Sequence, residues 1–399
     1  MPMKRTGPGS CSISKRRKLR GPSIKAPAVL DSKGNTPTTP PCLILLPGER
    51  EGHEQSPTGC VLNLKDDAVH DLTNMGSVIG GDYSWVCVGS SHGWLMLFYG
   101  DKAEGHMFLL NPSFLTPNLS PPLFYFPRIP GTTIKAILLS DPSLDEEFGA
   151  VAIYKHNTRL RRHPSHTKLA FYKHGDVRWS DLGVAKGSIY CDIMSHNNLL
   201  YALRDCGSIE VWDLHGSDQP KKIVDTKPLA ADKMIQTYQD TKDLYSNQLY
   251  LVESSGEILL VERYRGYCVD PEGRAVTERD LLPDDDTQPL VYPYRTLFFH
   301  VYKLDSDGER WVEVHELKHK ALFVGGNHSM SLSTKDFPEC KSNAIYFTDD
   351  NWDQMDEDFL YGGHDFGVFD LKRRTKKPLD GLKCDKMVPP PFWVVPNIR

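Results

Sequence analysis

No stretch of this 399-residue chain approaches 18 consecutive apolar residues, and no apolar core follows its charged start. Neither a membrane-spanning helix nor a classical secretion signal is therefore expected. The closest cysteines, Cys191 and Cys206, are 15 residues apart, so there is no C-x-x-C pair and no zinc knuckle, zinc finger or thioredoxin-type redox motif. The nine cysteines (11, 42, 60, 87, 191, 206, 268, 340 and 384) are odd in number, and several have strand-like flanks such as Trp85-Val86-Cys87-Val88. They are expected to be buried, reduced thiols of an intracellular protein. Phosphate-cradling glycine loops are missing, both the P-loop and G-x-G-x-x-G. Almost nothing has the periodicity of a long amphipathic helix.

What is present is an ordinary globular composition, 39% hydrophobic and 25% charged, with 31 Gly and 29 Pro marking frequent turns. The charge is unevenly placed. Residues 1–40 hold nine basic groups against Asp31 alone, a local net of +8, which leaves −13 on the remainder of a chain whose total is −5. An acidic body repels phosphate backbones, so a nucleic-acid reader is disfavoured. Residues 1–40, broken by Pro8, Pro22, Pro27, Pro37 and Pro40 and without apolar periodicity, are expected to be a disordered basic tail. Within it Lys15-Arg16-Arg17-Lys18-Leu19-Arg20, with Lys4-Arg5 ten residues upstream, fits a one- or two-part nuclear import signal. Nucleus and cytoplasm are the expected locations. An organellar transit peptide stays open, because no acid precedes Asp31.

From residue 41 to 399 short apolar runs alternate with turn residues, the pattern of an all-β domain. Cys42–Leu46, Trp94–Phe98, Ala150–Tyr154, Leu199–Leu203, Ile258–Glu262, Leu297–Leu304 and Ala344–Thr348 are examples. Hairpin-like units recur, and Tyr154, Tyr201, Tyr250 and Tyr346 fall at gaps of 47, 49 and 96. A period near 48 predicts a single β-propeller with kelch-like blades of about 50 residues. The domain holds about seven such periods, and the insertion Tyr267–Pro293 uses about half of one. Six blades are preferred and seven remain open. The apolar run Phe392-Trp393-Val394-Val395 is expected to pair with Cys42–Leu46 and close the ring, a docking peptide being the competing reading.

These segments resemble a plant family, the F-box-associated domain of unknown function 295, whose members are kelch-like propellers. The resemblance rests on Gly89-Ser90-Ser91-His92-Gly93-Trp94-Leu95, Val301-Tyr302-Lys303-Leu304-Asp305 with Trp311-Val312-Glu313-Val314, and Asn343-Ala344-Ile345-Tyr346-Phe347-Thr348-Asp349-Asp350. Gly367-Val368-Phe369-Asp370-Leu371 and Pro389-Pro390-Pro391-Phe392-Trp393 complete it. It implies a non-enzymatic propeller that binds a protein partner through its loops, a kinase or a ubiquitin-ligase substrate. It also implies an F-box that docks a Skp-type adaptor. An F-box needs about forty residues of Leu/Ile-rich helix, whereas residues 1–40 are basic and Pro-broken, which sets the adaptor apart from the other expectations.

One catalytic pattern competes. His315-Glu316-Leu317-Lys318-His319 is literally H-E-x-x-H, which on a helix would hold zinc for a metal-dependent hydrolase. Its flank Trp311–Val314 looks like a strand, Lys318 and Lys320 put positive charge beside the metal, and no third ligand is apparent, so a surface loop is preferred. No cofactor is expected. His163-Pro164-Ser165-His166 is expected as a solvated hairpin tip, and the stretch from Asp349 to Asp358 as a solvated acidic loop. Gly362-Gly363-His364-Asp365 and Ser91-His92-Gly93 are expected as turns.

Overall fold

The computed structural model describes residues 42–394 except for 46–47, 51–52, 57–58, 66–67, 73–84, 100–104, 112–123, 156–165, 184–188, 215–219, 226–243, 271, 278–293, 306–307, 309, 352–362, 380–386 and 389–390. All regular structure among the described residues is strand, and no helix there is long and apolar enough to cross a membrane. Six sheets form the six blades of a β-propeller. From the axis outward, blade 1 is Phe392–Val394, Cys42–Leu45, Gly59–Asn63 and Ala68–Leu72. Blade 2 is Trp85–Ser91, Trp94–Tyr99, His106–Leu110 and Phe124–Tyr125. Blade 3 is Thr132–Leu138, Gly149–Lys155, Thr167–Lys173 and Ser180–Asp181, and blade 4 is Tyr190–His196, Leu199–Arg204, Ile209–Asp213 and Lys221–Asp225. Blade 5 is Tyr245–Ser254, Glu257–Gly266, Arg295–Leu304 and Trp311–Glu313. Blade 6 has five strands: Met330–Ser333, Lys320–Val324, Ala344–Phe347, Gly367–Asp370 and Thr375–Lys377.

A single blade buries neither face, so its apolar residues must meet a neighbour. Six apolar clusters do this, one at each seam. Trp94, Met96 and Leu109 of blade 2 pack on Ala136, Ala150 and Tyr154 of blade 3. Equivalent clusters join blades 3 and 4, 4 and 5, and 5 and 6. Leu43, Leu62 and Trp393 of blade 1 pack on Phe323 and Tyr346 of blade 6, and Ile44, Phe392 and Val394 pack on Cys87, Leu95 and Phe108 of blade 2. The ring is closed. Its clasp is the pairing of the two ends of the domain, Cys42 with Val394, Leu43 with Trp393 and Ile44 with Phe392.

Two local features adjust the ring. At Gly89 the pairing with blade 2's second strand shifts register, and a Cβ there would lie 1.9 Å from the carbonyl oxygen of Ala136. Only glycine lets the inner strands of blades 2 and 3 approach so closely. Blade 6 is entered at its second strand. The chain runs outward-to-inward through the hairpin Lys320–Val324 and Met330–Ser333, then crosses to Ala344–Phe347, which is parallel to Lys320–Val324.

The tyrosine spacing that suggested the repeat does not mark equivalent positions. Tyr154 and Tyr201 lie on second strands, Tyr250 on an innermost strand and Tyr346 on a third strand. Inner strands are buried on both faces, so any antiparallel pair of them has the same apolar texture whatever its rank. The insertion Tyr267–Pro293 leaves from between the second and third strands of blade 5, and its described part holds a small hairpin, Cys268–Val269 with Ala275–Val276.

Candidate functional site

The seam between blades 5 and 6 carries polar structure at both ends of strand Ala344–Phe347. At the C-terminal end lies Arg263, which is fully buried. Its Nε donates to Thr296 Oγ1 at 2.6 Å. Its Nη1 donates to Thr348 O at 2.8 Å, and to Asp350 Oδ1 and Tyr250 Oη at 3.1 Å. Its Nη2 donates to Asp365 O at 3.0 Å and Oδ2 at 2.9 Å. The guanidinium also stacks 4.8 Å above the Phe347 ring. Arg265 shares Asp350, and Asp349 accepts from the Tyr294 hydroxyl and the backbone N–H of His364 and Asp365. Burial opposes ionisation of Asp365, but the Arg263 charge and the Thr296 hydrogen bonds outweigh it and hold its carboxyl below the ordinary value.

This corrects the reading of Asp349–Asp358 as a solvated acidic loop: Asp350 is buried in ion pairs with Arg263 and Arg265, and Asp349 is buried beside it as a hydrogen-bond acceptor. The reason lies across the seam, because Arg263 and Arg265 belong to a different blade. Residues 352–358 lie outside the described residues. His364 and Asp365 do not orient each other. His364 Nε2 pairs with Tyr294 O at 2.8 Å, while Asp365 accepts from Thr296 and Arg263.

At the N-terminal end of the same strand two adjoining cavities of about 310 and 510 Å³ form a groove. Its floor is Phe299, Val301 and Leu371, all buried, and Phe299 rests against Phe347 and Phe369 at 5.4 and 5.3 Å. The H-E-x-x-H residues are here, distributed over both cavities. Residues 314–319 connect the outer edge of blade 5 to blade 6 without helix, and Lys318 adopts a left-handed φ of 55°. The two histidines therefore do not share a helix face, and His315, 80% exposed, lies 3.9 Å from Glu313. Among the described residues no group of three or more His, Cys, Asp or Glu is arranged to hold a metal ion. The pattern is a surface loop, as preferred from sequence.

A third polar site lies on the axis, where all six blades contribute. Lys135 of blade 3 pairs with fully buried Asp192 of blade 4, whose other oxygen accepts from the Leu251 N–H of blade 5 at 2.8 Å. Asn327 of blade 6 donates to Ser90 Oγ of blade 2 at 2.8 Å and to Trp393 O of blade 1 at 2.6 Å. Next to it, the buried Nδ1 of His328 has no hydrogen-bond partner among the described residues. Burial, then the charges of Lys135 and His92, bring His328 down to about 3.

The import-signal residues Lys4, Arg5, Lys15, Arg16, Arg17, Lys18 and Arg20 lie outside the described residues, as do 163–165 of the His163–His166 loop. Ser91-His92-Gly93 is a strand-to-strand turn with left-handed His92 and Gly93. With Gly89 and Ser90 it also has the spacing G-x-S-x-G, a match passed over in the sequence. A nucleophile elbow needs a helix after the serine, and a strand follows here. Seven described cysteines are free thiols; Cys206 is exposed rather than buried, and burial pushes Cys42 and Cys340 up to about 12. Neither the Arg263 network nor the groove was found from sequence. Arg263 and Arg265, in a strand whose residues 259–266 are all buried and which also carries Glu262, were the available signal.

The profile described as KIB1-4 beta-propeller matches residues 61–370. The F-box protein SKIP23 of Arabidopsis thaliana is 27% identical over 237 residues, 58% of this chain and 52% of that protein. A putative F-box protein of the same plant, At1g65770, is 27% identical over 282 residues, 65% of this chain and 66% of its own. The F-box/kelch-repeat protein KIB1 is 24% identical over 203 residues, 50% of this chain and 42% of that one. The chain thus spans between 42% and 66% of the length of these relatives.

Proposed function

The chain belongs to the KIB1-4 beta-propeller family, and from that premise we propose that it is a non-catalytic scaffold that holds a partner protein for a ubiquitin ligase. The observation that carries this reading is the closed six-bladed ring in a chain whose relatives are named F-box proteins. A closed ring brings the loops of successive blades together on each face, which gives one rigid, multi-point recognition surface. A kinase or a ligase substrate is the partner class. The basic cluster Lys15–Arg20 directs the protein to the nucleus, with a cytoplasmic pool.

A second reading rests on the closed ring alone, which presents its loops to a partner whether or not a ligase is attached. In it the propeller binds and regulates its partner without a ligase. Affinity purification of the full chain from plant cells separates the two. A Skp-type adaptor and a cullin in stoichiometric amounts support the ligase reading. A partner recovered without either overturns it in favour of the regulatory one.

A further inference from the structure

The groove between blades 5 and 6 has a charge opposite to that of the domain around it. Five cations line it (Lys318, Lys341, Lys372, Arg373 and Arg374), against three carboxylates. The body from residue 41 onward carries a net −13. All three carboxylates are engaged: Glu313 with His300 at 2.9 Å, Asp370 with Lys341 at 2.8 Å, and Glu316 with Lys372 at 3.9 Å. Lys318, Arg373 and Arg374 are exposed, and none has a carboxylate within ion-pair distance among the described residues. Arg374 stacks 5.7 Å from the Phe298 ring, which limits the rotamers it must give up on binding.

The backbone singles out the same place. Seven described residues other than glycine have left-handed φ, and three of them (Lys318 at 55°, Asn343 at 59°, Arg374 at 52°) line this groove. Asparagine tolerates that conformation; lysine and arginine gain nothing from it locally. Long cations kept where glycine would be less strained indicate a function for their charge. Nucleic acid is disfavoured as the ligand, because a phosphate backbone would also meet the acidic surface around the groove. The apolar floor of Phe299, Val301 and Leu371 suits side chains interspersed among the acidic ones.

Resting on the partner-binding reading above, we propose that this groove docks an acidic peptide segment of the partner, a run of Asp and Glu side chains. The full-length protein is titrated, in fluorescence anisotropy, into a short labelled peptide rich in Asp and Glu with a few leucines, and into its Asn/Gln counterpart. Saturable binding of the acidic peptide is expected, weakening as salt is raised. The double variant Lys318→Glu/Arg373→Glu should bind at least about tenfold more weakly, while Lys221→Glu on the exposed outer strand of blade 4 should bind as the parent does. Both changes are on the surface, and an unchanged thermal midpoint confirms that each variant is folded. Equal binding of the Asn/Gln peptide, an unaffected double variant, or equal displacement by single-stranded RNA of the same charge overturns the proposal. Failure here with a partner still recovered in the affinity purification removes the groove and leaves the scaffold reading intact. Peptide binding without any partner in cells does the reverse.

Discussion

Arg263 donates from all three guanidinium nitrogens while fully buried, and its carboxylate partners Asp350 and Asp365 are buried too. A buried pair gains little over an apolar one, but removing one member leaves a charge without compensation. Arg263→Met should therefore destabilise the protein by about 3–5 kcal/mol, seen as a fall in the urea midpoint. A midpoint within experimental error of the parent would show that the network contributes nothing to holding blades 5 and 6 together. His328 gives a pH signature. Its imidazole is held neutral down to about 3, whereas the ordinary value is 6.5. Below about 6.5 the unfolded chain takes up a proton that the folded one does not. The contribution to stability is thus complete above that pH and is lost as pH falls towards 3, at up to about 1.4 kcal/mol per unit. Thermal midpoints at pH 7.5 and 5.0 should differ less in His328→Gln than in the parent. An identical drop in both would assign the acid sensitivity to other groups.

Among the elements, the inner strand Phe392–Val394 has the largest consequences for its length. Phe392, Trp393 and Val394 are 3%, 0% and 3% exposed, and Trp393 meets Phe323 and Tyr346 of blade 6 at 5.1 and 5.7 Å. Burying each of these side chains is worth roughly 1.5–3 kcal/mol, and the strand also covers the edge of Cys42–Leu45. Truncation after Pro391 should give insoluble protein, or soluble protein with a broadened melt and dye-accessible apolar surface. A sharp, parent-like melt with only partner binding lost would return the docking-peptide reading. Other elements show what sequence hides. Ile258–Glu262 and Ala344–Thr348 were legible because apolar runs need no partner to be recognised. Thr132–Leu138 and Tyr190–His196 were not singled out, because Lys135 and Asp192 interrupt them and make sense only as a pair across two blades.

For the whole molecule, the tail and the ring make separate predictions. The proposed scaffold needs the ring, whereas the proposed nuclear delivery rests on Lys15–Arg20. Replacing Lys15, Arg16, Arg17 and Lys18 by Ala in a fluorescent fusion should move the signal to the cytoplasm. Nuclear signal that persists, or that is missing from the parent, removes the assignment. The sequence by itself determined the all-β class, the acidic body with its basic start, the family and the ends that meet, since each depends on local texture or on runs that have to be buried somewhere. The blade count was preferred at six with seven open, and the ring has six, although the tyrosine spacing behind that count proved to relate strands of different rank. The tertiary structure decided which charges are buried and which are free. Asp349 and Asp350 were expected in a solvated acidic loop until blade 5 supplied Arg263 and Arg265 for Asp350, with the Tyr294 hydroxyl for Asp349, while Lys318, Arg373 and Arg374, unconnected in the sequence, line one groove. Such pairings join residues as much as 102 positions apart, and no local pattern encodes a contact whose energy exists only once the ring has closed.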